Sequence, residues 1–161
     1  MPDQLGPDEP FPELWKGYVS ALQQLVTVRR RRPPQAFLAS FEAFFDEAFR
    51  GVTEDAAVED LTAAWSQFEA DDSNHRTARL LRLELVAFIN GFQAVTGSPA
   101  RPQTDPPSTK HWLSRDATAK DMTNAGKTVL ESILDALGDL LPVWVRGLLK
   151  ILKEVLDVAA G

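Results

Sequence analysis

The chain contains no cysteine. That excludes a disulfide framework, thiolate chemistry and cysteine-ligated metal, and it fits a reducing compartment. Histidine is nearly as scarce, with only His75 and His111. Both read as solvent-exposed, and no HExxH pair is present to hold zinc. No stretch has eighteen or more uncharged apolar residues, so no segment reads as an ordinary transmembrane helix. The opening "MPDQLGPDEPFPEL" is acidic and proline-rich, the reverse of a signal peptide's basic then apolar order. The expected location is the cytoplasm. No segment alternates apolar and polar residues convincingly, so strands are not expected.

The composition that remains is that of a globular protein. Of 161 residues, 44% are hydrophobic and 25% charged, which argues against wholesale disorder. The net charge of −6 argues against general affinity for nucleic acid. All of that excess lies early in the chain. Residues 1–97 carry 9 Lys/Arg against 15 Asp/Glu, whereas residues 98–161 carry 8 of each.

Apolar residues recur at helical spacing in several segments. The first runs from about Pro12 to Arg31 and closes at "RRRRPP", where two prolines cannot continue a helix. The second, about Pro34 to Arg50, carries Phe37, Phe41, Phe44, Phe45 and Phe49 on one face, with Gly51 as its expected stop. These phenylalanines read as a core stripe rather than a ligand pocket. Thr53 is the expected N-cap of a third helix bearing Val58, Leu61, Trp65 and Phe68. A fourth, about His75 to Thr96, is apolar around much of its circumference and is expected at the bundle centre. A fifth spans about Asp116 to Leu137. Pro142 opens a last helix reaching Ala159.

"GSPARPQTDPPST", with four prolines in thirteen residues, reads as an extended linker before the last two helices. The expected fold is therefore all-α. It comprises a flexible acidic N-terminus (1–11), a four-helix up-and-down bundle (12–97), a Pro-rich linker (98–115) and an amphipathic two-helix hairpin (116–161).

Candidate chemistry is thin. Asp71, Asp72, Asn74 and His75 cluster in "DDSNH" but lack the alternating spacing and twelfth-position glutamate of a calcium loop. "NAGKT", Asn124 to Thr128, lacks the first glycine of a phosphate loop, and no strand precedes it. No catalytic residue, metal or cofactor is expected. The four arginines Arg29, Arg30, Arg31 and Arg32 form the one dense basic cluster. They suit a helix C-terminus, with contact to an anionic group as the functional reading. No motif names a family.

The last helix draws most attention. On a helical wheel Arg146, Lys150, Lys153, Glu154 and Asp157 share an arc of roughly 100°, and apolar side chains cover about half the circumference. Burying nine of them is worth on the order of 15 kcal/mol gross. That surface needs a cover, either the rest of the chain, another protein or a lipid surface. The expectation is a non-enzymatic interaction protein, an adaptor or assembly subunit. Its apolar anchors are Trp144, Leu148, Ile151, Leu152, Val155 and Leu156, and its rim is Arg146, Lys150 and Lys153. The partner is a protein or a second copy of the chain. The alternative is a membrane-active effector whose last helix enters the lipid interface.

Overall fold

A computed structural model describes residues 6–29, 39–96 and 116–160. Among them are six α-helices and no strand: α1 (Phe11–Arg29), α2 (Ala39–Thr53), α3 (Asp55–Ala70), α4 (His75–Thr96), α5 (Asp116–Leu137) and α6 (Val143–Ala160). Short 3-10 turns at Asp72–Asn74 and Gly138–Leu140 lead into α4 and α6. The all-α class expected from periodicity is what forms. The "GSPARPQTDPPST" segment and His111 lie outside the described residues.

The centre of the molecule is α1, which packs against all five other helices. Pro10 accepts the first amide hydrogen bonds of this helix, and Pro12 sits in the first turn, where its missing N–H costs nothing. Leu14, Trp15, Tyr18, Val19, Ala21, Leu22, Leu25 and Val26 are almost wholly buried. The apolar circumference of α4 predicts the central place for that helix. Instead α4 lies at the periphery: it buries Leu81, Leu85, Phe88, Ile89 and Phe92 but leaves Leu80 51% and Leu83 41% exposed. A helix apolar on two sides need not be central; it can carry one core face and one bare face.

α5 lies against α1 and α4, while α6 lies against α5 and α2. A single apolar cluster joins side chains from all six helices. Polar atoms tie the layers together. Trp15 Nε1 donates to the Val52 carbonyl at 3.0 Å, satisfying one of the last-turn acceptors that α2 cannot bond internally. Phe11 stacks on Trp65 with ring centroids 4.8 Å apart.

Two local expectations give way. Gly51 does not end α2, which runs to Thr53. Its role is spatial, since a Cβ there would lie 3.0 Å from Leu148 Cδ2 of α6. Thr53 is the last residue of α2 rather than the cap of α3, and its hydroxyl bonds back to the Phe49 carbonyl at 3.0 Å. The N-cap of α3 is Glu54, which makes no side-chain cap bond.

Candidate functional site

α6 begins after Leu141, whose side chain is buried, and Pro142 accepts its first backbone bond, from the Arg146 amide. One side of the helix faces the core: Val145, Leu149, Leu152, Val155, Leu156 and Ala159 are all 0% exposed. Of the six anchors named from the sequence, Leu152, Val155 and Leu156 are therefore sealed against the rest of the chain. Trp144 is 48% exposed, and Leu148 and Ile151 are partly exposed.

The exposed part is ordered by helical geometry. Trp144, Leu148, Ile151 and Val158 fall within about 80° of arc at the border of the core face, an arc that also holds the buried Val155, and Leu148 and Ile151 are partly buried against the core. Val158 is 38% exposed. Gly147 borders this arc, and a Cβ there would meet nothing within 4 Å. Leu148 rests over Gly51 of α2. Trp144 Nε1 donates to Asp60 Oδ2 of α3 at 3.1 Å, which fixes the ring at the strip's N-terminal end.

The expected cationic rim is largely engaged within the hairpin. Arg146 Nη2 donates to the Leu141 carbonyl at 3.3 Å, and its Nε is buried. Lys153 pairs with Glu131 of α5 at 3.4 Å. Lys127 of α5 pairs with Asp157 at 2.8 Å, and the hydrogen bond to Asp157 raises the ammonium pKa above its ordinary value. Lys150 is exposed and lines a groove of about 730 Å³ between α5 and α6. In that groove the three cations Arg146, Lys150 and Lys153 stand among four carboxylates, Glu131, Asp135, Glu154 and Asp157, which leaves no net positive charge to hold an anion.

The other candidate chemistry resolves into structure. Arg29 closes α1, and Arg30, Arg31 and Arg32 lie outside the described residues. In "DDSNH", Asp71 accepts from the Ser73 amide at 3.0 Å and from its hydroxyl at 2.7 Å, and the latter bond is the main reason its carboxyl pKa is lowered. Asn74 Nδ2 donates to the Phe68 carbonyl at 3.1 Å, and His75 Nε2 lies 3.4 Å from Asp72 Oδ1. These are bonds that cap a turn. No group of three or more His, Asp or Glu side chains suited to a metal occurs among the described residues.

"NAGKT" lies inside α5, where Gly126 is buried between helices. A Cβ on it would come within 2.4 Å of Leu22 Cδ2 and 3.0 Å of Phe88 Cζ. The Tyr18 hydroxyl donates to the Gly126 carbonyl at 2.6 Å. This glycine serves close helix packing rather than phosphate binding. No helix among the described residues is long and apolar enough to cross a membrane. No protein-family model, curated protein or solved structure matches the chain.

Proposed function

We propose that the protein is a non-enzymatic helical interaction module that docks a partner protein through its C-terminal hairpin, using the outward arc of α6. The observation that carries this reading is the apolar edge of α6 where Trp144 is 48% and Val158 38% exposed, with Leu148 and Ile151 between them packed on the core and partly open to solvent. A surface helix ordinarily turns charged side chains to water along such a line, and tryptophan is among the residue types enriched as interface anchors. On this reading the first four helices and the hairpin act together as one platform. Leu152, Val155 and Leu156 hold α6 in place, while the residues beside them meet the partner.

The chemistry around the strip favours one class of partner. Asp60 stands against Trp144, Glu154 is exposed on α6, and the excess acidity of the chain lies in residues 1–97, which include the α2 and α3 residues beside the strip. An amphipathic helix whose apolar face is flanked by Lys or Arg fits this surface, with the charges guiding encounter and the apolar faces holding it.

The test is a titration of the full-length protein, followed by tryptophan fluorescence. It uses a synthetic Leu/Lys amphipathic helix, its Leu/Glu twin, and liposomes with neutral or anionic headgroups. Preferential binding of the Leu/Lys helix, weakened at least about tenfold by Ile151→Asp with helical content unchanged, supports the proposal. Binding to liposomes alone, lost in the same variant, replaces it with a lipid-facing role. Equal binding of both peptides, or none, removes the basic-helix partner.

A further inference from the structure

A second bare apolar surface lies on α4, separate from the strip on α6. The residues of α4 that face the core are Ala78, Leu81, Leu85, Phe88, Ile89, Phe92 and Thr96. Diametrically opposite, Leu80, Leu83, Ala87, Gly91 and Ala94 fall within about 80° of arc along the most solvent-directed line of the helix. Leu80 is 51% and Leu83 41% exposed, and Val95 at the border is 46% exposed. Ala87 and Ala94 are exposed, and a Cβ on Gly91 would meet nothing within 4 Å. A contiguous apolar line of this kind marks a contact surface on a soluble protein.

We infer that this face pairs with its own copy, α4 against α4 in antiparallel orientation about a twofold axis at Ala87. The shape of the strip is self-complementary in that arrangement alone. Its bulky residues lie in the N-terminal half and its small ones in the C-terminal half. An antiparallel pair sets Leu80 against Ala94 and Leu83 against Gly91 of the second copy, with Ala87 meeting its counterpart on the axis. Large side chains then enter the space left by small ones, and the helices approach closely. A parallel pair would stack leucine on leucine at one end and leave a gap at the other.

Charge points the same way. The last turn of α4 contains no basic residue, so no cation within that turn offsets the negative end of the helix dipole. Arg76, exposed at the N-terminal end of the strip, has no ion pair among the described residues. In the antiparallel pair it reaches the C-terminal carbonyls of the other α4, where positive charge is favoured. Glu84 falls opposite Asn90 and Arg79 opposite Val95, so no like charges face each other. One helix pair buries less than a standard interface, which places the dimer in the weak, reversible class.

The absence of cysteine permits a direct test with the whole chain. Sedimentation of the native protein is expected to show a monomer–dimer equilibrium at concentrations up to on the order of 100 µM. Ala87→Glu and Ala87→Arg should each be monomeric over that range, because each sets like charges on the axis, and their equimolar mixture should dimerise. Orientation is read by oxidative cross-linking. Leu83→Cys mixed with Gly91→Cys should cross-link to each other faster than either does alone. A native protein that stays monomeric, a dimer indifferent to Ala87→Glu, or preferential Leu83→Cys self-linkage would each overturn the inference. Far-ultraviolet circular dichroism of each variant verifies that the fold persists, as expected for positions exposed to solvent.

Discussion

The hydroxyl of Tyr18 reaches across from α1 to the carbonyl of Gly126 in α5, 2.6 Å away and 108 residues along the chain. Both groups are buried. Only a residue without a side chain lets α5 come this near to α1, because a Cβ at 126 would collide with Leu22 and Phe88.

Gly126→Ala is therefore expected to destabilise the protein, although alanine gains about 1 kcal/mol of helix propensity over glycine. Overpacking a tight core contact costs about 1–3 kcal/mol, and the clash here is at 2.4 Å, well inside contact distance. A lowered urea midpoint at unchanged m-value would show it; an unchanged or raised midpoint would mean that α1 and α5 have room to separate.

Burial pushes the Tyr18 hydroxyl well above the ordinary tyrosine value of 10.0. The sign follows from linkage. The unfolded chain releases this proton near pH 10 while the folded one retains it, so stability is full below about pH 10 and falls as pH rises beyond it. Tyr18 is the only tyrosine in the chain, so tyrosinate absorbance reports it alone. It should rise together with loss of helix, and Tyr18→Phe should flatten the alkaline limb.

Neighbouring positions on α6 should behave in opposite ways. Leu152 is 0% exposed, and Leu152→Asp places an unpaired carboxylate in the core, a change in the class that costs about 4 kcal/mol or more. Ile151→Asp, one residue away on the outward arc, should shift stability much less. Thermal melts of the two variants separate these outcomes, and equal destabilisation would show that the arc is not a free surface.

On the other side of the molecule, Arg82 of α4 bonds Glu69 of α3 at 2.8 Å and the carbonyls of Glu9 at 2.7 Å and Pro7 at 3.2 Å, with its guanidinium 5.3 Å from the Trp65 ring centre. The bond from Arg82 holds the Glu69 carboxyl below its usual value of 4.5. The depressed carboxylate contributes stability above that pH, and the contribution is lost as pH falls through the folded value. Glu69 is 40% exposed, so solvent limits the effect to about 1 kcal/mol. Glu69→Gln should lose that amount at neutral pH and almost none in acid, measured as urea midpoints at both.

How far the sequence could be read depended on what a periodic pattern encodes. The limits of α4 and α5 coincide with their apolar repeats, because helix ends are local events governed by caps, glycine and proline. Gly51 and Gly126 were opaque for the opposite reason. A glycine within a helical pattern can end the helix or admit another one, and only the neighbours Leu148, Leu22 and Phe88 decide which. The last helix was recognisable as needing a cover, but its burial depends on where α2 and α5 lie, which spacing along one helix does not encode. The bare line on α4 is legible as excess hydrophobicity, which by itself predicts a central helix; α1, whose apolar side chains from Leu14 to Val26 are all buried, occupies that place.

The reach of Tyr18 to Gly126 also bears on how the protein is made. α1 precedes every helix it packs against, and much of its cover comes from α5 and α6, beyond residue 115. During synthesis its aromatic side chains meet α2, α3 and α4 first, through Trp15 to Val52, Phe11 to Trp65 and Tyr18 to Phe88, whereas the Tyr18 hydroxyl gains its acceptor only when α5 emerges. A ribosome-bound chain ending near residue 110 is therefore expected to hold Trp15 against α2 but to leave the Gly126-facing side of Tyr18 and Leu22 open until the last third of the chain is made.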